Sequence, residues 1–309
     1  MSIQTKTVTR TNQFFEHAIT QIKENRFAYA LVLPTILFLV LLLWVPFLRG
    51  IWISFHEWVF LEDPRWVGLD NYRHLFTWDL FYISVRATII YSFATVIQLG
   101  MALGLALLVA NLNRFQGLLS AIYLIPYTMP PVVTGTMWLY LLDPSIGPFF
   151  QYLIERGIIS EAIYWTVSGD SALVVITLVA SWTFWPFMFL FILASRMGIP
   201  DEHYETARVY GANRMQMFWR VTFPQIKSAI LVAIIIRFVW NLAKISQPLQ
   251  LTGGGPSFET SVLAILLYRQ AWENAAFGVG YAVGIVLLIF TLVAIIPFIY
   301  KFEQMRGDF

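Results

Sequence analysis

Long uncharged apolar runs constrain this chain more than any other feature. From Phe27 to Phe55 the only charged residue is Arg49. A helix crossing the hydrocarbon core of a bilayer needs about 20 apolar residues. Such runs recur at roughly 27–55, 82–109, 119–141, 171–195, 228–250 and 278–300. The composition agrees: 12% of residues are charged, against about 25% in soluble domains. The pattern predicts an all-α integral membrane fold with six transmembrane helices. A weaker run, 258–272, carries Glu259, Arg269 and Glu273 and is expected to be an external surface helix. The first 25 residues are too polar for a cleaved signal peptide, and the following run lacks a small-residue cleavage site, so it is an uncleaved first span.

Basic residues orient the spans. With the N-terminus inside, twelve of the twenty Lys and Arg fall on the cytoplasmic side, six on the opposite side, and Arg237 and Lys244 within a span. Both termini are therefore expected in the cytoplasm, with the polar loop 196–227. This divides the chain into a cytoplasmic segment 1–26, a membrane domain 27–300 and a tail 301–309. Phe14, Phe15, Ile19 and Ile22 would make the lead an interfacial helix. The net charge of +2 points to no nucleic-acid partner. There is no cysteine, and the four histidines have no ligand spacing, so no metal site is expected.

The loop 196–227 is the chain's most organised polar stretch. Ile199-Pro200-Asp201-Glu202 opens a helix well, because proline suits the first helical position and carboxylates favour the positive end of the dipole. Gly211 is placed to stop that helix in a left-handed conformation. A second helix is expected through about Arg220, with Pro224 breaking the path into the fifth span. Tyr204, Ala207 and Arg208 share one face of the first helix. Met215, Met217, Phe218 and Trp219 offer an adaptable apolar surface. Two short helices meeting at a glycine elbow can seat in a partner's cleft.

The spacing of Glu205-Thr206-Ala207, Gly211 and Val221-Thr222-Phe223-Pro224 resembles the "EAA" loop of permease subunits in ATP-driven, binding-protein-dependent importers. Thr206, Val221 and Phe223 depart from the family's Ala, Ile and Leu, and Tyr210 stands where its sugar branch commonly has Asp. The resemblance implies a type I importer permease fold with this loop as the coupling helix. Its ATPase contact would be formed by Glu205, Ala207, Arg208, Gly211, Ala212 and Pro224. It implies a second permease subunit as heterodimer partner, two ATPase subunits and an extracytoplasmic solute-binding protein. The setting would be the cytoplasmic membrane of a prokaryote. The chain holds no G-x-x-x-x-G-K-[ST]; Gly253-Gly254-Gly255 is followed by Pro256. No cofactor is expected on this chain, with ATP and Mg on the partner ATPases.

Leu251-Thr252-Gly253-Gly254-Gly255-Pro256 follows the fifth span. Three glycines and a proline end a helix and form a tight turn with no function required. With Thr260 beyond it, the turn also resembles the sugar-importer branch, which includes maltose, trehalose and glycerol-phosphate uptake. So do Val67-Gly68-Leu69-Asp70-Asn71-Tyr72 and Leu124-Ile125-Pro126.

Arg237, Asn241 and Lys244 are spaced i, i+4 and i+7 on one face of the fifth span, flanked by Trp240 and Gln247. Arg237 falls roughly 14 Å deep at 1.5 Å per residue. An arginine there normally faces a cavity or a protein partner. No Asp or Glu falls in any span, so its partners are expected to be backbone carbonyls, water, the second permease or substrate. Trp182, Trp185 and Trp240 are the tryptophans deep enough to stack on a sugar ring; most others suit the interfacial belt. Prolines are expected to break the first, third, fourth and sixth spans, freeing carbonyls along a cavity. The substrate class favoured is a neutral sugar, with glycerol phosphate or another polyol as the alternative. An ion-coupled secondary transporter would carry intramembrane acids or repeats, and neither is present. A membrane scaffold or sensor with no transport role is the third class, told apart by whether genes for an ATPase and a lipoprotein-like binding protein lie beside this one.

Overall fold

The computed structural model describes residues 21, 24–112 and 114–307. The expected interfacial segment with Phe14, Phe15, Ile19 and Ile22 lies outside them. The chain divides into two units, Met1–Ile53 and Ser54–Phe309.

The first unit is built on α1 (Arg26–Ser54), long and apolar enough to cross a bilayer. Pro34 lies inside it without a break. A π-turn spans Val40–Trp44, where the Val45 N–H donates to the Val40 carbonyl. Pro46 follows at once. A proline ring clashes with the carbonyl four residues back, and the widened turn moves that carbonyl aside.

The second unit starts with a two-stranded antiparallel hairpin, β1 (His56–Glu57) and β2 (Arg65–Trp66), and α2 (Asp70–Thr77). The Asn71 amide, buried on α2, donates to the Ser54 and His56 carbonyls at 2.9 Å each. The second span is α3 (Asp79–Ser92) continued by α4 (Ala94–Val109). The third is not straight. α5 (Gln116–Thr128) and α6 (Pro131–Leu141) meet at 90°. A residue before proline is pushed out of the α region, and two stand in succession: Met129 has ψ 135° and Pro130 ψ 135°. α7 (Pro148–Glu155) leads to the fourth span, α8 (Gly169–Met197).

Two more helices follow the fourth span: α9 (Asp201–Val209) and α10 (Arg214–Leu242). α11 (Ser246–Thr252), α12 (Leu263–Tyr268) and the last span, α13 (Phe277–Gly307), complete the chain. Among the described residues there are five helices able to cross a bilayer and one bent pair. The breaks expected in the first, fourth and sixth spans are therefore corrected, and the one expected in the third is found at Met129–Pro131. Pro126, Pro186 and Pro297 sit inside unbroken helices, since a single missing N–H is tolerated within a membrane helix. Only consecutive prolines break the path.

α8 is the axis of the packing. Its Leu173, Ile176, Ala180 and Phe184 pack in one apolar cluster with residues of α3, α12 and α13. Further along, Trp185, Phe189 and Ile192 cluster with Ala102 and Ala106 of α4 and Ile226 and Ile230 of α10. The alanines let the α4 backbone approach closely, as is usual where lipid gives helices no hydrophobic reason to associate. The 258–272 segment is not a surface helix. Leu263, Ala264, Ile265 and Leu266 are all buried in the first cluster. The charges that suggested exposure flank the apolar run instead of interrupting it, and Arg269 pairs with Glu273 at 3.4 Å.

Candidate functional site

The 196–227 loop forms a compact hook. Pro200 caps α9, with Asp201 and Glu202 in its first turn. At the far end Gly211 has φ 75°. The Ala212 N–H donates to the Ala207 carbonyl and the Gly211 N–H to the Arg208 carbonyl, both at 2.9 Å. That pair of bonds is a Schellman motif, and it satisfies carbonyls the helix end would leave open. Asn213 then starts α10 with a capping box. Its side chain accepts from the Gln216 N–H at 2.9 Å, and the Gln216 side chain accepts from the Asn213 N–H at 2.9 Å. The box is legible in the sequence as Asn-x-x-Gln, although a reading centred on glycine and proline passes over it.

One expectation is corrected here. The second helix of the hook does not end near Arg220, and Pro224 does not break the path. α10 runs unbroken from Arg214 to Leu242. A π-turn over Phe218–Thr222, closed by the Phe223 N–H to the Phe218 carbonyl, precedes Pro224 as another precedes Pro46. The second arm of the hook and the fifth span are thus one rod.

The hook is largely exposed. Glu205, Arg208, Gly211 and Pro224 are exposed, and Ala207 and Ala212 are half-buried. Val209 and Tyr210 are each 86% exposed. Tyr204 differs from its neighbours: it is buried and turned toward the bundle.

The polar centre lies where α4, α8 and α10 meet. Arg237 is 1% exposed and Gln98, on α4, is 0% exposed. The Arg237 Nε donates to Gln98 Oε1 at 3.1 Å, and its guanidinium also donates to Asn241 Oδ1. The Asn241 amide donates to Thr95 Oγ1 at 2.8 Å and to Gln98 Oε1 at 3.2 Å. Gln98 in turn donates to the Ala180 carbonyl of α8 at 3.1 Å. The Phe184 ring covers the Arg237 guanidinium at 4.7 Å. The expected partners of Arg237 omitted side-chain amides, and these are the ones it has. A neutral amide oxygen can meet a buried guanidinium where no carboxylate is at hand.

The remaining pathway candidates separate by exposure. α10 ends at Leu242, so Lys244 is off the helical face shared by Arg237 and Asn241. Its Nζ lies 4.4 Å from the Phe184 ring. Gln247 is buried on α11 and donates to Thr183 Oγ1 at 2.8 Å. Trp185 is buried between Tyr123 and Phe189, with centroids 5.5 Å away on each side. Trp182 is half-buried, edge-on to Trp138, and Trp240 is exposed beside Phe187.

The turn Leu251-Thr252-Gly253-Gly254-Gly255-Pro256 is held from within. Gly253 and Gly254 have φ 59° and 83°. Thr260 Oγ1 lies 2.7 Å from both Thr252 Oγ1 and the Gly255 carbonyl. The Arg269 guanidinium donates to the Gly253 carbonyl and lies 4.8 Å from the Phe258 ring. Arg269 had no signal in the sequence, since it is sixteen residues from its acceptor.

An apolar helical bundle with an exposed hook continuous with one span, and a polar centre tying three spans, defines a multi-pass membrane transport subunit. The chain belongs to the family of binding-protein-dependent transport system inner membrane components, which matches residues 97–302. It is 30% identical over 243 residues to the trehalose/maltose transport system permease protein MalF of Thermococcus litoralis, covering 78% of this chain and 81% of that protein. To the sulfoquinovosyl glycerol transport system permease protein SmoG of Agrobacterium fabrum it is 32% identical, covering 73% of each. To the sn-glycerol-3-phosphate transport system permease protein UgpA of the same organism it is 26% identical, covering 77% of this chain and 81% of that protein. A permease chain of a bacterial ABC transporter that imports the acidic polysaccharide alginate shares the fold, with TM-score 0.75 and 22% identity over 93% of this chain and 99% of that one. The alginate ABC transporter in complex with an alginate pentasaccharide-bound periplasmic protein gives TM-score 0.79 and 24% identity, over 93% and 96%.

Proposed function

We propose that this chain forms half of the translocation pathway of an ATP-driven sugar importer in a prokaryotic cytoplasmic membrane, with both termini in the cytoplasm. It pairs with a second permease and receives solute from an extracytoplasmic binding protein. Two ATPase subunits dock on the hook and hold the ATP and Mg; the chain itself binds neither and catalyses nothing. The observation that carries this reading is the hook: Glu205 and Arg208 stand exposed on a capped helix, with Gly211 exposed at the turn that leads into α10. The relatives' solutes, trehalose or maltose, sulfoquinovosyl glycerol and glycerol phosphate, support a glycosidic or polyol substrate. A neutral sugar is favoured because the Arg237 donors already face Gln98 and Asn241, whereas a phosphate site gathers several free donors.

Gly211→Val tests the reading. Valine resists φ 75°, a region that costs L-residues roughly 1–2 kcal/mol, so the Schellman turn should distort. With the complex in lipid, the variant should insert normally and lose uptake together with binding-protein-stimulated ATP hydrolysis. Normal uptake would refute the docking role of the hook.

A further inference from the structure

We infer that Tyr204 is a positioning residue that locks the hook helix to the fourth and fifth spans, so that all three move as one body. This rests on the docking role proposed above. Tyr204 is the single buried residue of α9. Its hydroxyl lies 2.9 Å from Thr222 Oγ1. Thr222 is itself buried and is the last residue of the π-turn that precedes Pro224. On the other side the Arg196 guanidinium lies 4.1 Å from the Tyr204 ring centroid. Arg196 is in the last turn of α8, where the helix dipole also favours a cation.

The geometry is a triangle. α9 joins α8 through Gly198–Pro200 and α10 through Tyr210–Asn213. Both links are turns, and on them alone a short exposed helix would swing. Tyr204 adds the third tie, reaching the end of one span with its ring and the start of the other with its hydroxyl. A tyrosine suits this because its rigid side chain has few torsions to give way. A push on α9 then reaches Arg196 and Thr222 directly, without first being taken up by the loops.

The experiment places spin labels at Met197→Cys and Val209→Cys, both exposed positions in a chain without native cysteine. The inter-label distance is measured on the full permease in lipid nanodiscs, then with its ATPase subunits, ATP and vanadate. The unaltered hook should give one narrow distance that ATP and vanadate leave unchanged. Tyr204→Phe keeps the ring and its cation contact and removes the hydroxyl. It should raise a displaced population by about fivefold, the shift expected from one hydrogen bond, with little change in thermal unfolding. Thr222→Val should do the same from the other side, and the double variant should add nothing to either, as two residues sharing one bond require. If Tyr204→Phe fails to fold, Thr222→Val still decides. A single unchanged distance in both variants, or effects that add independently, would overturn the inference. If the ATPase subunits do not bind at all, the importer reading fails, while the distances in the permease alone still decide whether Tyr204 locks the hook.

Discussion

Gln98→Leu is the sharpest perturbation of the polar centre. Leucine matches glutamine roughly in volume but accepts no hydrogen bond. The change removes the acceptor of Arg237 Nε and one acceptor of the Asn241 amide, and withdraws the donor to Ala180. The Ala180 carbonyl already serves the α8 ladder, and the Asn241 amide keeps Thr95. The cost therefore falls mainly on Arg237, buried with its Nε–H unmet. Interhelical hydrogen bonds in bilayers average about 0.6 kcal/mol and reach about 1.7. Three such bonds and an unsatisfied charged donor bring the expected loss to about 2–4 kcal/mol. Reversible unfolding by denaturing detergent in mixed micelles measures it. The triple variant Gln98→Leu, Arg237→Met, Asn241→Leu should recover most of the loss, since an apolar replacement of a whole buried polar set is often near neutral. A loss below about 0.5 kcal/mol for Gln98→Leu alone, well under the bonds removed, would refute the view that Arg237 is held by Gln98.

Three further outcomes are expected. Asn213→Ala removes the side-chain acceptor of the Gln216 N–H, leaves the backbone donor to Gln216 Oε1, and should cost about 1 kcal/mol locally, read as roughly fivefold faster amide exchange over residues 214–217. Arg237→Gln should reduce uptake of a neutral sugar only modestly; a collapse, with assembly and basal ATP hydrolysis intact, would point to an anionic solute bound by a charge-assisted contact worth about 1.5–3 kcal/mol. Asn213→Cys should be labelled only from the cytoplasm and Trp66→Cys only from outside, and labelling of position 213 from outside would reverse the orientation.

Local sequence features fix the membrane class, the apolar runs that become spans, and the start and stop of the hook's first helix. Apolar length is a local property, and so are a proline at a helix start and a glycine at its end; no distant contact is needed to read them. Gly211 shows this well, because its φ follows from where the helix must stop. The bend at Met129-Pro130-Pro131 was equally local, and a break of the third span follows from its two successive prolines. Tertiary structure alone decided the rest. Periodicity put Arg237 and Asn241 on one face, but the acceptor that meets them is 139 residues from Arg237, and a lone glutamine in an apolar run does not announce its partner. The 258–272 segment went inward because a core formed by α3, α8 and α13 received its apolar run, a fact that its flanking charges concealed. Tyr204 belongs to the same class: helical spacing aligned it with Ala207 and Arg208, and only the packing of two span ends turned it away from solvent.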